Sequence, residues 1–135
     1  MKLRIKGNSL RIRVGRTELA EFLRTGRIQD TIHFASAPYA KLTYVLQISA
    51  ADVTETHVRY WNREVTVVLA ASHALQWSKD SSVGVYTQVP LGTGEILDIT
   101  VEKDFACIDG SNSDQEDTFT NPNAGSACQQ ADFWA

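Results

Sequence analysis

Hydrophobic and polar residues alternate along short stretches of this chain, and each pair of stretches is separated by a turn signal. The alternating pairs are Lys2–Lys6 with Ser9–Val14, about Gly7-Asn8, and His57–Trp61 with Glu64–Leu69, about Asn62-Arg63. Alternation with a period of two on both sides of a short turn predicts a β-hairpin. The glycine-first pair Gly7-Asn8 favours a type II′ turn. The pattern therefore predicts two hairpins, one in each half of the chain.

A helical pattern follows each hairpin. The apolar positions are Leu19, Phe22 and Leu23 in the first segment and Ala74, Leu75 and Trp77 in the second. Thr17 and Ser72 are placed to cap the two helices, because a hydroxyl accepts a hydrogen bond from an unpaired backbone N–H. Gly26 is suited to end the first helix. Alternating strands at 27–34 and 41–49, and at 83–89 and 96–103, complete two ββαββ units.

The two units match each other at one constant offset. Sliding 1–49 onto 56–104 without a gap superposes apolar positions, including Leu3 on Val58 and Phe22 on Trp77. It also places Ile28 on Val83 and Phe34 on Val89. Eight strands and two short helices predict a mainly β (α+β) fold with a pseudo-two-fold axis. We expect a small barrel or a half-open sandwich in which each helix covers one end.

The length of 135 residues fits one domain with a single core, and 43% hydrophobic with 21% charged residues is ordinary for a globular protein. We expect a domain over 1–109, with repeats at 1–50 and 56–104, and an acidic tail over 110–135 packed on it or tethered to it. No apolar run is long enough to span a membrane, so a cytoplasmic protein is expected. Cys107 and Cys128 would pair only in an oxidising compartment, and their pairing stays open.

Charge is distributed unevenly along the chain. The net charge is −3, yet residues 1–27 hold eight bases against two acids, a net charge of +6. Residues 104–135 hold six acids and no Lys or Arg, a net charge of −6. These two segments are expected to attract each other.

The first hairpin collects like charges on one side. Its register places Ile5 opposite Leu10 on the core side, so Arg4 lies opposite Arg11 on the outer side. Lys2 likewise lies opposite a base, and each like-charge pair costs up to about 1 kcal/mol. We expect the protein's own acidic tail, solvent counter-ions or a phosphate-bearing ligand to cover this side, in that order, because the attached tail has the highest effective concentration. The predicted anion- or tail-binding residues are Lys2, Arg4, Lys6, Arg11, Arg13 and Arg16.

The second hairpin carries a different outer side. His57, Arg59 and Trp61 lie across from a side that includes Val68. An exposed tryptophan beside a valine indicates an interface with a second copy, a protein partner or the tail; burial under a loop is the alternative. Nucleic acid is disfavoured as a partner, because the basic side lacks interleaved aromatic residues and the isoelectric point is near 5.5.

Known catalytic and metal-binding motifs are absent from the sequence. Cys107, Asp109, Glu116 and Asp117 mix one soft ligand with several hard ones, which fits neither a zinc nor a calcium pattern. We therefore expect no cofactor, no metal and no catalytic residue. The leading prediction is a non-catalytic binding or interaction domain whose basic first hairpin is covered by the acidic tail. The alternatives are a small hydrolase or transferase using Cys107 and nearby carboxylates, and a weak anion or nucleic-acid binder.

Two end motifs carry a resemblance to a known family. The start MKLRIKGNSLR and the end VEKDFAC, followed by an acidic run into Phe119-Thr-Asn-Pro122, resemble a small bacterial family of uncharacterised function. The resemblance covers nearly the whole chain, except 124–135. It implies a cytoplasmic domain and carries over no catalytic residues.

Overall fold

The computed structural model describes residues 1–49, 55–79, 81–105 and 118–119. The elements are β1 (Lys2–Lys6), β2 (Ser9–Val14), α1 (Arg16–Thr25), β3 (Arg27–His33), β4 (Lys41–Ile48), β5 (His57–Trp61), β6 (Glu64–Leu69), α2 (Ala71–Ser78), β7 (Gly84–Pro90) and β8 (Ile96–Lys103). The order ββαββ-ββαββ agrees with the prediction. The described strands form two sheets and do not close into a barrel, so the sandwich is the correct alternative.

Each sheet combines one hairpin from each half of the chain. Sheet A has the order β1-β2-β8-β7 and sheet B has the order β3-β4-β6-β5. The central pairs, β2 with β8 and β4 with β6, are parallel, whereas every outer strand is antiparallel to its neighbour. The two halves are therefore interlocked, because neither half forms a complete sheet alone.

The core lies between the two sheets. Alternation points Ile12, Val67 and Val101 inward from three different strands, and each is at most 1% exposed. The helices add Phe22 and Trp77, whose rings meet edge to face with centroids 6.1 Å apart. Aromatic pairs favour this arrangement. Both helices therefore contribute an aromatic side chain to one shared core.

Both helices begin before their predicted caps. Gly15 and Ala70 are the N-cap residues, so Thr17 and Ser72 lie inside the helices and cap neither. In α1 the Glu18 carboxylate accepts the Gly15 N–H at 3.1 Å instead. The C-cap prediction is confirmed, since Gly26 has φ +79° and donates its N–H to the Phe22 carbonyl at 2.7 Å.

The two hairpin turns differ in backbone conformation. At the first turn Gly7 has φ +54° and Asn8 is not positive, in agreement with a type II′ turn. At the second turn Asn62 and Arg63 both have positive φ, +48° and +62°. Positive φ at both central positions is the type I′ pattern, which glycine adopts more easily than arginine.

The constant offset between the two halves holds for three strand pairs but not for the fourth. The offset that places Leu3 on Val58 also places β1 on β5, β2 on β6 and β4 on β8. The same offset applied to the start of β3 predicts a start for β7 that is two positions before the observed one. Ile28 and Val85 pair with Leu46 and Val101, so Val85 and not Val83 is the counterpart of Ile28. By the same register, the counterpart of Val89 is not Phe34 but the residue two positions before it. Such a shift is one full strand period, so the apolar phase survived it.

Candidate functional site

The outer side of sheet A carries the cluster of bases that the sequence predicted. Lys2 pairs with Arg13 and Arg4 pairs with Arg11 across the hairpin, in the predicted register. Lys6 lies at the end of the same side. We call these five side chains the basic face. The sixth predicted residue, Arg16, is the exposed first residue of α1 and lies outside this strand pair.

Acids on β8 neutralise part of the basic face. Glu102 lies directly beside Arg13 in the parallel β2–β8 pair. Its Oε1 is 2.9 Å from Arg11 Nε and 3.9 Å from Arg13 Nε. The side chains of Arg11 and Glu102 are only 13% and 11% exposed. The two arginines therefore share one nearly buried carboxylate, which reduces the repulsion expected within the hairpin.

A second ion pair lies at the end of the sheet. Lys2 Nζ is 2.7 Å from Asp104 Oδ2, and the Asp104 side chain is 12% exposed. Asp104 is the first residue of 104–135, the stretch whose net negative charge was expected to attract the first hairpin. The Asp104 N–H also donates to the Val14 carbonyl at 2.9 Å, which ties the end of β8 to the end of β2.

Tyr86 and Gly84 complete the environment of Glu102 from the other side. The Tyr86 hydroxyl donates to Glu102 Oε2 at 3.0 Å. Gly84 lies opposite Glu102 in the β7–β8 pair. A Cβ at Gly84 would lie 2.6 Å from the Val101 carbonyl oxygen and 2.9 Å from Glu102 Cγ. Glycine is therefore required for Glu102 and β7 to approach this closely.

Partial burial and the neighbouring charges shift the pKa of two groups in this network. Burial lowers the pKa of the Arg11 guanidinium, although the charge of Glu102 acts in the opposite direction. Burial, followed by the charge of Glu102 and its hydrogen bond, raises the pKa of Tyr86 to about 12. The Tyr86 hydroxyl is therefore a neutral phenol at neutral pH.

The chain returns to this end of sheet A at Phe119. Phe119 forms a parallel bridge with Phe105, and its N–H donates to the Asp104 carbonyl at 2.8 Å. The two phenyl rings are 6.1 Å apart, and Lys103 Nζ lies 5.6 Å from the Phe119 ring centroid. Phe119 also packs against the core. Phe105 and Phe119 are therefore neighbours, and both lie beside the Lys2–Asp104 pair.

The predicted interface residues lie on the outer side of sheet B. His57 pairs with Val68 and Trp61 pairs with Glu64, as expected. Trp61 is 83% exposed, so burial under a loop is wrong for this side chain, whereas Val68 is 4% exposed. A shallow cavity of about 260 Å³ lies beside Trp61, lined by Arg59, Trp61, Asn62, Glu64 and Thr66.

The residues that the sequence analysis weighed as a metal site fall in a part of the chain that the structure does not describe. Cys107, Asp109, Glu116 and Asp117, together with Cys128, lie outside the described residues. Within the described part of the chain, no three His, Cys, Asp or Glu side chains gather at one point. Neither described helix has the length and apolar composition to cross a membrane.

Sequence reasoning missed Glu102, Asp98 and Tyr86 as members of this surface. The spacing of Asp98, Glu102 and Asp104 could have indicated that these acids share one side of a strand, because residues separated by even numbers do so. The missing information was that β8 lies beside β2.

Comparisons with known proteins agree with the resemblance seen at the two ends of the chain. The sequence profile of a family of unknown function, DUF7009, matches residues 1–123. None of the curated proteins matches the chain, and none of the solved structures matches it. The profile covers most of the 135 residues. The chain therefore belongs to DUF7009, a family of unknown function.

Proposed function

We propose that this protein is a non-catalytic anion-binding domain whose basic face is covered by its own acidic segment, residues 106–118. The observation that carries the proposal is the bridge between Phe105 and Phe119. This bridge brings together the two residues that flank the segment, beside Asp104, which is paired with Lys2 of the basic face. Displacement of the segment would then open the face to an anionic partner.

The charges of the two surfaces are complementary. The basic face has five cations, and β8 with the residue after it offers three carboxylates on the same side, Asp98, Glu102 and Asp104. The acidic segment contains four acids and no Lys or Arg. Because the face keeps a surplus of positive charge after these three carboxylates are counted, a covering anion is favoured there.

The acidic segment is long enough to reach across the face. Its 13 residues span about 3.3 Å each when extended, so the middle of a segment with adjoining ends reaches about 20 Å. A five-residue strand such as β1 is about 17 Å long. The closed connection also gives the segment an effective concentration that a free anion rarely reaches.

Retention on heparin tests the proposal, because heparin is a polyanion and competes for the same cations. The test variant carries Asp114→Asn, Glu116→Gln and Asp117→Asn, which leaves Phe105 and Phe119 in place. The control carries Glu21→Gln, Asp30→Asn and Glu55→Gln, which changes the net charge equally at exposed positions outside the basic face.

We expect the segment variant to elute from heparin at a higher salt concentration than both the wild type and the control. We also expect a lower melting temperature for the segment variant at low salt, with a smaller difference at high salt, because salt screens exposed charges. Elution of the two variants at the same salt concentration would show that net charge alone governs retention, and the proposal would be wrong.

A further inference from the structure

We infer that the protein self-associates through strand β5, which pairs antiparallel with β5 of a second copy and joins two B sheets into one. This inference concerns the other sheet and does not depend on the acidic segment. β5 is an edge strand of sheet B, and among the described residues it pairs only with β6. An edge strand presents backbone donors and acceptors that another strand can use.

The other three edges carry features that oppose pairing. β1 presents Lys2, Arg4 and Lys6, and the charges of a second copy would oppose them. β7 begins at Gly84 and ends at Pro90, and proline has no N–H to donate. β3 carries charged residues at both its start and its centre. Charged side chains and proline are among the usual means of protecting a sheet edge.

β5 has the opposite character. Its last two residues, Tyr60 and Trp61, are 67% and 83% exposed, and Trp61 is the most exposed of the large hydrophobic side chains described. Arg59, also exposed, is its only permanently charged residue. Large apolar side chains that remain exposed at an unpaired edge indicate a contact surface.

The permanent charge of β5, on Arg59, favours one register for pairing with β5 of a second copy. In a symmetric antiparallel pair centred on Arg59, this arginine would face Arg59 of the second copy. Centring on Val58 would place Arg59 opposite His57. Centring on Tyr60 places each Arg59 opposite Trp61 of the other copy and brings the two Tyr60 side chains together. Of these three registers, only the last places each Arg59 guanidinium against an indole, and the two-fold symmetry makes this attraction occur twice.

Sedimentation velocity of the full chain over a wide concentration range tests the inference. Because a five-residue strand buries less area than a standard interface, we expect the mass to rise with concentration from 15.0 kDa toward twice that value. Trp61→Lys places two cations opposite each other, so this variant should keep the mass of the monomer throughout. The high exposure of Trp61 makes the fold of the monomer tolerant of this change.

Trp61→Glu distinguishes the proposed register from other modes of contact. The carboxylate would face Arg59 of the second copy, so this variant should still dimerise and should dissociate as NaCl is added. Leu75→Lys, at a position that is 67% exposed on α2, is the matched control and should dimerise like the wild type.

Four outcomes would overturn the inference: a wild type that stays monomeric at every concentration, dimerisation of Trp61→Lys, loss of the Trp61→Glu dimer, or loss of the Leu75→Lys dimer. The first of these outcomes, a wild type that stays monomeric, is also expected if a segment of the same chain pairs with the β5 edge.

Discussion

The carboxylate of Glu102 is the most informative group to perturb, because it is shared by two arginines on the outer side of sheet A. Glu102→Gln keeps the shape of the side chain and removes its charge. The amide can still accept from Arg11 and pair with the Tyr86 hydroxyl, so the substitution tests the charge rather than the hydrogen bonds. After it, Arg11 and Arg13 are adjacent without their shared anion.

The magnitude follows from the burial of the pair. Removing one partner from a fully buried ion pair costs about 3–5 kcal/mol, whereas an exposed pair contributes about 0.2–1 kcal/mol. The side chains of Arg11 and Glu102 are 13% and 11% exposed and their charged atoms are 2.9 Å apart. Because this pair is nearer to the buried limit and most hydrogen bonds survive, we expect a loss of about 2–3 kcal/mol. For a domain of this size the melting temperature should fall by about 10 °C.

Urea denaturation followed by tryptophan fluorescence measures the free energy of unfolding directly. Asp98→Asn is the matched control, because Asp98 lies on the same side of the same strand but is exposed, and its carboxylate accepts from the exposed Gln88 amide. This control should change stability by less than about 0.5 kcal/mol. If Glu102→Gln also changes the free energy of unfolding by less than about 0.5 kcal/mol, or if both variants lose the same amount of stability, then Glu102 does not neutralise the face as described.

Four further substitutions test other parts of the structure. Gly84→Ala should destabilise the fold by about 1–3 kcal/mol in urea denaturation, because the new Cβ would lie 2.6 Å from the Val101 carbonyl oxygen; an unchanged midpoint would contradict this contact. Since the pKa of Tyr86 is raised to about 12, the unfolded chain loses the phenolic proton first, so stability should fall as the pH rises from about 10 to 12. Tyr86→Phe should reduce this fall in stability, as measured by melting temperatures over the same pH range. If the melting temperature of the variant falls as steeply as that of the wild type, another group causes the alkaline loss of stability. Arg63→Gly should raise stability by about 0.5–1 kcal/mol in thermal unfolding, because φ +62° strains arginine and not glycine; a lower melting temperature would show that the Arg63 side chain contributes more than the strain. Phe22→Ala should cost about 3–5 kcal/mol or abolish folding, as judged by circular dichroism, because Phe22 is fully buried against Trp77; a loss below about 1 kcal/mol would contradict a shared core.

The hairpins were predictable because their determinants are local. Alternation fixes which residues share a side, and a two-residue turn fixes the register, so the pairs Arg4–Arg11 and Trp61–Glu64 follow from the sequence alone. The like-charge pairs on the first hairpin were therefore real, and so was the need for a nearby anion.

The anion on β8 was not predictable from the same reasoning, because strand order in a sheet depends on packing between distant segments. Alternation says that Asp98 and Glu102 share a side, but it does not say which strand lies beside them. The two-position shift of β7 was not predictable for a related reason. A shift by two residues preserves the alternation, so the apolar pattern of Val85 and Val89 does not reveal it. The N-cap prediction for α1 failed because Glu18 accepts the N–H of Gly15, and Gly15, not Thr17, is the N-cap residue.

The interlocked topology explains how a hairpin with repelling charges remains stable. β2 obtains its acids from β8, which comes from the other half of the chain and is held in place by its own antiparallel partner β7. The Glu102 side chain is therefore positioned by the second half of the chain, and its charge acts on the first half. In the proposed function, an anionic partner would displace only the acidic segment, and the ion pairs within sheet A would remain in place. A ligand that instead competed for Glu102's partners, Arg11 and Arg13, would have to break a nearly buried ion pair, so the proposed anionic partner should bind toward the β1 side of the face.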